Sequence, residues 1–138
     1  MGVQIFNGPL TGSFVPSQAI ILVGESLVFD FTFTVAVAAK VAFYIEYTEG
    51  NPFDAATVWS REVDEVASGS GVVAMSEVVR TLQAAGGGNF GAGVQSVSAQ
   101  FVRRHMYARI RISASVGTIS NMLVTAPFGQ QAVQATLA

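Results

Sequence analysis

His105 is the only histidine of the chain, and it stands beside Arg103 and Arg104. A single imidazole with no second ligand at metal spacing does not make a metal site, so it reads as a surface residue preceding a strand. The carboxylates meet a similar test. Asp64 and Glu65 are sequence neighbours, and Glu46 and Glu49 lie three apart. Glycoside hydrolysis needs two carboxylates facing each other across a cleft, about 5–10 Å apart. Adjacent strand residues point in opposite directions, which places Glu46, Glu62 and Asp64 on solvent faces in this reading. No D-x-D-x-D-G calcium loop and no nucleophile elbow occurs. The run GGGNFGAG is not followed by the Gly-Lys-Ser/Thr of a phosphate loop. With no cysteine there is neither a disulfide framework nor a thiolate metal site. The expectation is a non-enzyme without a cofactor or metal.

The cations carry more information. Arg103, Arg104, Arg109 and Arg111 crowd a short stretch, and Arg109 and Arg111 share one face of a strand. Glu46 or Glu62 on a neighbouring strand is the natural cross-strand partner. The competing reading is a contact with an acidic protein surface or another subunit. Nucleic acid is disfavoured because no aromatic stacking residues are interleaved with these arginines. Trp59 reads as a core residue, with a sugar-stacking platform as the alternative. Phe90, at the tip of a glycine loop, is a candidate for insertion into a neighbouring subunit.

The elements that must hold these residues are strands. From Ser26 to Thr48 the odd positions read Leu27, Phe29, Phe31, Phe33, Val35, Val37, then Val41, Phe43, Ile45, Tyr47. This period-two pattern, rich in β-branched and aromatic residues, predicts two long half-buried strands parted by a turn or bulge at Ala38-Ala39-Lys40. Glu49-Gly50-Asn51-Pro52 is turn chemistry. Val58 to Asp64 reads as a strand with Trp59 turned inward. Val72 to Leu82 fits a strand pair or a short amphipathic helix, and its valines favour the strand. Gln83 to Gly93 holds five glycines and reads as an exposed loop. Tyr107 to Ser115 places Ala108, Ile110, Ile112 and Ala114 inward, and Val116-Gly117 forms a hairpin into Thr118 to Thr125. The expected fold is an all-β antiparallel sandwich of jelly-roll type with about eight strands. It divides into an N-terminal arm (1–18), a sandwich (19–126) and an uncharged C-terminal tail (127–138). Phe6 and Phe14 on the arm require burial elsewhere and are candidate interface residues, with Phe90 and the four arginines.

Composition sharpens this picture. The 138 residues are 51% hydrophobic but only 12% charged, about half the ordinary charged fraction. So little charge implies a surface that is neutral polar or covered by a partner. The net charge of −2 gives no electrostatic case for nucleic acid. All acidic residues fall between Glu25 and Glu77, whereas only arginines follow from Arg80 onward. The two halves can face each other within one fold or across a subunit contact. Asp30 and Lys40 inside the apolar run argue against a membrane span. MGVQIFNGPL lacks the basic start and apolar core of a signal peptide, and the absence of cysteine fits a reducing cytoplasm.

Three pieces of sequence together resemble small virion proteins of tailed bacteriophages. They are Phe43-Tyr44-Ile45-Glu46-Tyr47, Trp59-Ser60-Arg61, and Tyr107-Ala108-Arg109-Ile110-Arg111-Ile112 with Gly117-Thr118. The outline is also similar to discoidin-like jelly rolls, whose members bind sugars or lipids. The resemblance spans roughly Val41 to Ala126 and departs from the pattern at Asn51-Pro52 and at the long glycine loop. It implies a capsid decoration (cement) protein or related head or tail component, acting in the virion after assembly in the host cytoplasm. It further implies a homo-oligomer, commonly a trimer, bound to the major capsid protein or another virion protein. The alternative is a carbohydrate-binding or adhesin sandwich using Trp59.

Overall fold

The computed structural model describes residues 3–22, 26–66, 74–82, 84, 88–102, 107–126 and 130–132. Among them there is no helix, and the described part of the Val72–Leu82 stretch forms the strand pieces Ala74–Glu77 and Arg80–Leu82, with Val78 and Val79 between them. The strands are β1 (Val3–Leu10), β2 (Val15–Pro16), β3 (Ile20–Leu22), β4 (Ser26–Thr48), β5 (Ser60–Arg61) and β6 (Val63–Val66). They continue as β7 (Ala74–Glu77), β8 (Arg80–Leu82), β9 (Phe90–Val102), β10 (Tyr107–Val116), β11 (Ile119–Ala126) and β12 (Gln130–Ala132). The number exceeds the eight expected because several are pieces of two to four residues. The protein is all-β and antiparallel: one curled sheet ordered β1-β11-β4-β10-β3-β12, with β2, β5, β8 and β9 attached beside that path and β6-β7 as a separate pair.

Strand β4 organises the whole. Its first half pairs with β11 and β9, and its second half with β10, β5 and β8. Of the turn or bulge expected at Ala38-Ala39-Lys40 the chain forms the bulge, and the two expected strands are one continuous strand: Val35 faces Gly93 and Ala38 faces Gly91, so β4 has one residue more than its partner. An extra residue bends a strand and breaks its alternation. Val37, expected inward, is therefore 81% exposed at the bend. Beyond it, Ala39, Val41, Phe43, Ile45 and Tyr47 are buried again.

The bend brings the inner faces of the two halves together. The ring of Phe31 lies 5.1 Å from that of Phe43, and Phe101 of β9 reaches both Phe29 and Phe43. Ala108, Ile110, Ile112 and Ala114 line the same core, as their alternation predicts. Met122 and Val124 complete it from β11. Burying side chains of this size contributes about 1.5–3 kcal/mol each, which makes this seam the main source of stability.

Gly117 makes the β10–β11 hairpin, with φ +68°. A Cβ added there would lie 2.2 Å from the carbonyl oxygen of Ala38, at the bend of β4. Backbone conformation and close approach both require glycine at this position.

Both ends of the chain differ from expectation. Residues 1–18 were expected to form an arm, but β1 pairs along its length with β11, and Ile5 and Leu10 are buried in the core. Gly8 and Pro9 are accommodated because β1 is an edge strand with two register shifts. Within the expected tail, β12 pairs with β3. The glycine loop is also shorter than expected. Phe90 opens β9, is 6% exposed, and meets Phe33 edge-on at 5.0 Å. It belongs to this chain's own core and is not available to a neighbour.

Candidate functional site

The outer face of the β4–β10 half carries a ladder of arginines and aromatic rings. Register sets it up: Arg109 of β10 faces Glu46 of β4, which faces Arg61 of β5, and Arg111 faces Tyr44 one step along. Period two sends all of these away from the core. Arg109 and Arg111 each donate from Nε to the same Glu46 oxygen, at 2.9 Å. The Arg109 guanidinium lies over the Trp59 ring at 4.1 Å, and that of Arg61 over Tyr44 at 3.8 Å. Arg61 also bridges Glu77 at 2.8 Å. Phe14 meets Tyr44 at a tilt, with ring centroids 5.0 Å apart.

Glu46 is thus a buried carboxylate, contrary to the solvent face expected of it, and so is Glu62 at 3% exposure. Arg80 holds Glu62 with two bonds, Nε at 2.9 Å and Nη2 at 2.5 Å, while its guanidinium lies 4.3 Å from the Phe101 ring centroid. Each carboxylate is buried because guanidinium groups accompany it; a bare charge there would be strongly disfavoured. The cross-strand pairing of Arg109 and Arg111 with Glu46 agrees with the sequence reading. The Arg80–Glu62 and Arg61–Tyr44 contacts were not foreseen.

Trp59, expected in the core, is half-buried beside a cleft of about 280 Å³ lined by Ser17, Gln18, Ala19, Pro52, Phe53 and Arg109 as well. The turn after β4 builds one wall. Asn51 Oδ1 accepts from the Phe53 amide at 2.9 Å, and Thr57 Oγ1 donates to the Asn51 carbonyl at 2.5 Å. The opposite wall is fixed by Ser17, whose hydroxyl accepts from the Ile110 amide at 3.0 Å. The lining combines the apolar Ala19, Pro52, Phe53 and Trp59 with the polar Ser17, Gln18 and Arg109. Such a cleft suits a small ligand with a flat apolar face and a polar edge.

Of the other expected site residues, Phe6 is partly buried against the core, and Phe14 is 38% exposed on Tyr44. Arg103, Arg104 and His105 lie outside the described residues. Among those described, no group of three metal-ligating side chains converges, and no helix is long and apolar enough to cross a membrane. Comparison with protein-family models, curated proteins and solved structures yields no match to this chain.

Proposed function

We propose that this is a non-enzymatic virion structural protein of the capsid decoration type, which acts by covering a protein surface in the assembled particle. The observation that carries the reading is the combination of few charges with apolar side chains presented to solvent. Val37, Val58, Val79 and Val94 are all more than half exposed on a chain with only 12% charged residues. Exposed apolar side chains on a surface with few charges suit contact with another protein, whose interface core is depleted of charge. The N-terminal segment is held in the sheet as β1 and is not free to reach a neighbour as an arm. Contact is assigned to the faces and edges of the body. In this reading the arginine ladder is a rigid outer face whose charges are largely paired within the chain. The direct test is co-sedimentation of the purified protein with phage heads stripped of accessory proteins. Saturable binding supports the role; no binding at about 10 µM protein refutes it.

The second reading is carbohydrate binding, favoured by the cleft that places Trp59 next to Phe53 and Arg109. A sugar ring stacks its C–H face on an indole and bonds its hydroxyls to the polar rim. Binding on a glycan array that disappears in Trp59→Ala supports this second reading and displaces the first.

A further inference from the structure

The long strand β9 forms one side of the β9–β4–β11–β1 half, and it has an unusual outer edge. It pairs with β4 from Ser26 to Ala39, and no described strand lies on its other side. An open row of backbone N–H and C=O groups is a template for pairing, and proteins blunt such edges by shortness, charge, proline or bulges. Other edge strands among the described residues do so. Strands β5, β8 and β12 have two or three residues each, and β1 carries Pro9 and two register shifts. By contrast β9 runs thirteen residues, FGAGVQSVSAQFV, without a charged residue or a proline. Its irregularity is confined to the start, where Gly93 has φ +118° and the Gln95 amide caps the Gly91 carbonyl at 3.1 Å. From Val94 onward its register with β4 is unbroken.

We infer that β9 is the site at which a second copy of this chain adds, antiparallel, about a twofold axis normal to the sheet. Three features select a second copy as the occupant. The edge has no charge to attract a partner of opposite sign, and it has none to repel itself. A twofold axis of this kind sets like faces side by side. The exposed row of Val94, Ser96 and Ser98 then continues across the joint, as does the inner row of Val97, Ala99 and Phe101, which packs against the core. Small side chains from Gly91 to Ala99 also let two edges approach without obstruction. Such a joint is isologous and closes at two copies, so the pairing unit is a dimer and not the trimer that the phage resemblance implies. It stands apart from the decoration role, since two copies can pair whether or not the protein coats a shell.

The experiment measures the solution mass of the full chain by sedimentation equilibrium up to about 100 µM. It compares the wild type with Val94→Lys/Ser96→Lys and with Val94→Glu/Ser96→Glu. Both positions are solvent-exposed, so the fold is retained, as far-UV circular dichroism verifies. The wild type is expected to dimerise, and each charged variant to raise the dissociation constant by about tenfold or more through like charges facing across the joint. Mixing the lysine and glutamate variants is expected to restore a dimer. A monomeric wild type, a trimer, or charged variants that dimerise as well as the wild type would overturn the inference. Head binding is measured separately. A monomer that still coats heads refutes the pairing alone, and a dimer that does not coat them refutes the decoration role alone.

Discussion

Replacing Glu46 with alanine removes the one carboxylate that Arg109 and Arg111 share. Both Nε–Oε1 distances are 2.9 Å, and the Glu46 side chain is only 10% exposed. A hydrogen bond to a charged group contributes about 1.5–3 kcal/mol, and the low end applies here because both arginines keep part of their hydration. Two such bonds come to about 3 kcal/mol. Arg111, at 32% side-chain exposure, can turn toward water once released, while Arg109 at 19% stays beneath Trp59. The expected loss is therefore about 2–3 kcal/mol, or about 8–12 °C in Tm for a domain of this length. Urea denaturation at neutral pH measures the first and thermal circular dichroism the second. A double-mutant cycle with Arg109→Met isolates the pair, with an expected coupling of about 1–2 kcal/mol. A total loss under about 1 kcal/mol, or no coupling, would refute the idea that these arginines are satisfied within the fold. They would then rank again as groups awaiting an outside partner.

Other substitutions test other parts of the structure. Gly117→Ala introduces a Cβ into a left-handed position against the Ala38 carbonyl, so a loss of about 3 kcal/mol or more is expected by urea denaturation. Phe31→Ala opens a cavity at the seam between the halves and should cost about 3–5 kcal/mol. Phe90→Ala should cost about 3 kcal/mol in the isolated protein; a neutral result would mean that its ring packs elsewhere. Deleting residues 1–10 uncovers β11 and removes Ile5 and Leu10, so the remainder should lose cooperative unfolding. A truncated protein with an unchanged melting curve would restore the view of this segment as an arm.

The strands were legible in the sequence wherever one face is buried and the pairing regular. Phe29 to Val35 and Ala108 to Ile112 alternate because burial on a pleated strand has no other period, whereas Ser113, which that alternation places outward, is buried as well. Val37 was misplaced because a bulge depends on the partner's spacing, which the local pattern does not contain. Glu46 and Glu62 were misplaced for a related reason. Arg109 comes 63 residues after Glu46, and only the register of β10 against β4 brings them together. Sequence alone offered the pairing as one option but could not show that it would bury the acid. Phe90 and β1 failed in the opposite sense, through too much weight on local composition. Glycines around Phe90 and Gly8-Pro9 in β1 read as loop, yet long neighbours supplied enough pairing and burial to override them. Of the candidate site, the arginine–glutamate cross-strand contact could be anticipated. The stacking of Arg109 on Trp59 and the cleft beside it depend on the path of the turn after β4, which no spacing rule gives.

The bulge at Val35–Ala38 has a mechanical consequence. The single strand β4 runs through both halves of the curled sheet, so within it there is no linker about which one half could swing from the other. Amide exchange on either side of the kink should therefore follow one common opening event, and a pulling force should meet one rupture instead of two. The body behaves as a stiff tile, and any adaptation to a surface beneath it falls to side chains and to the short strands at its margin.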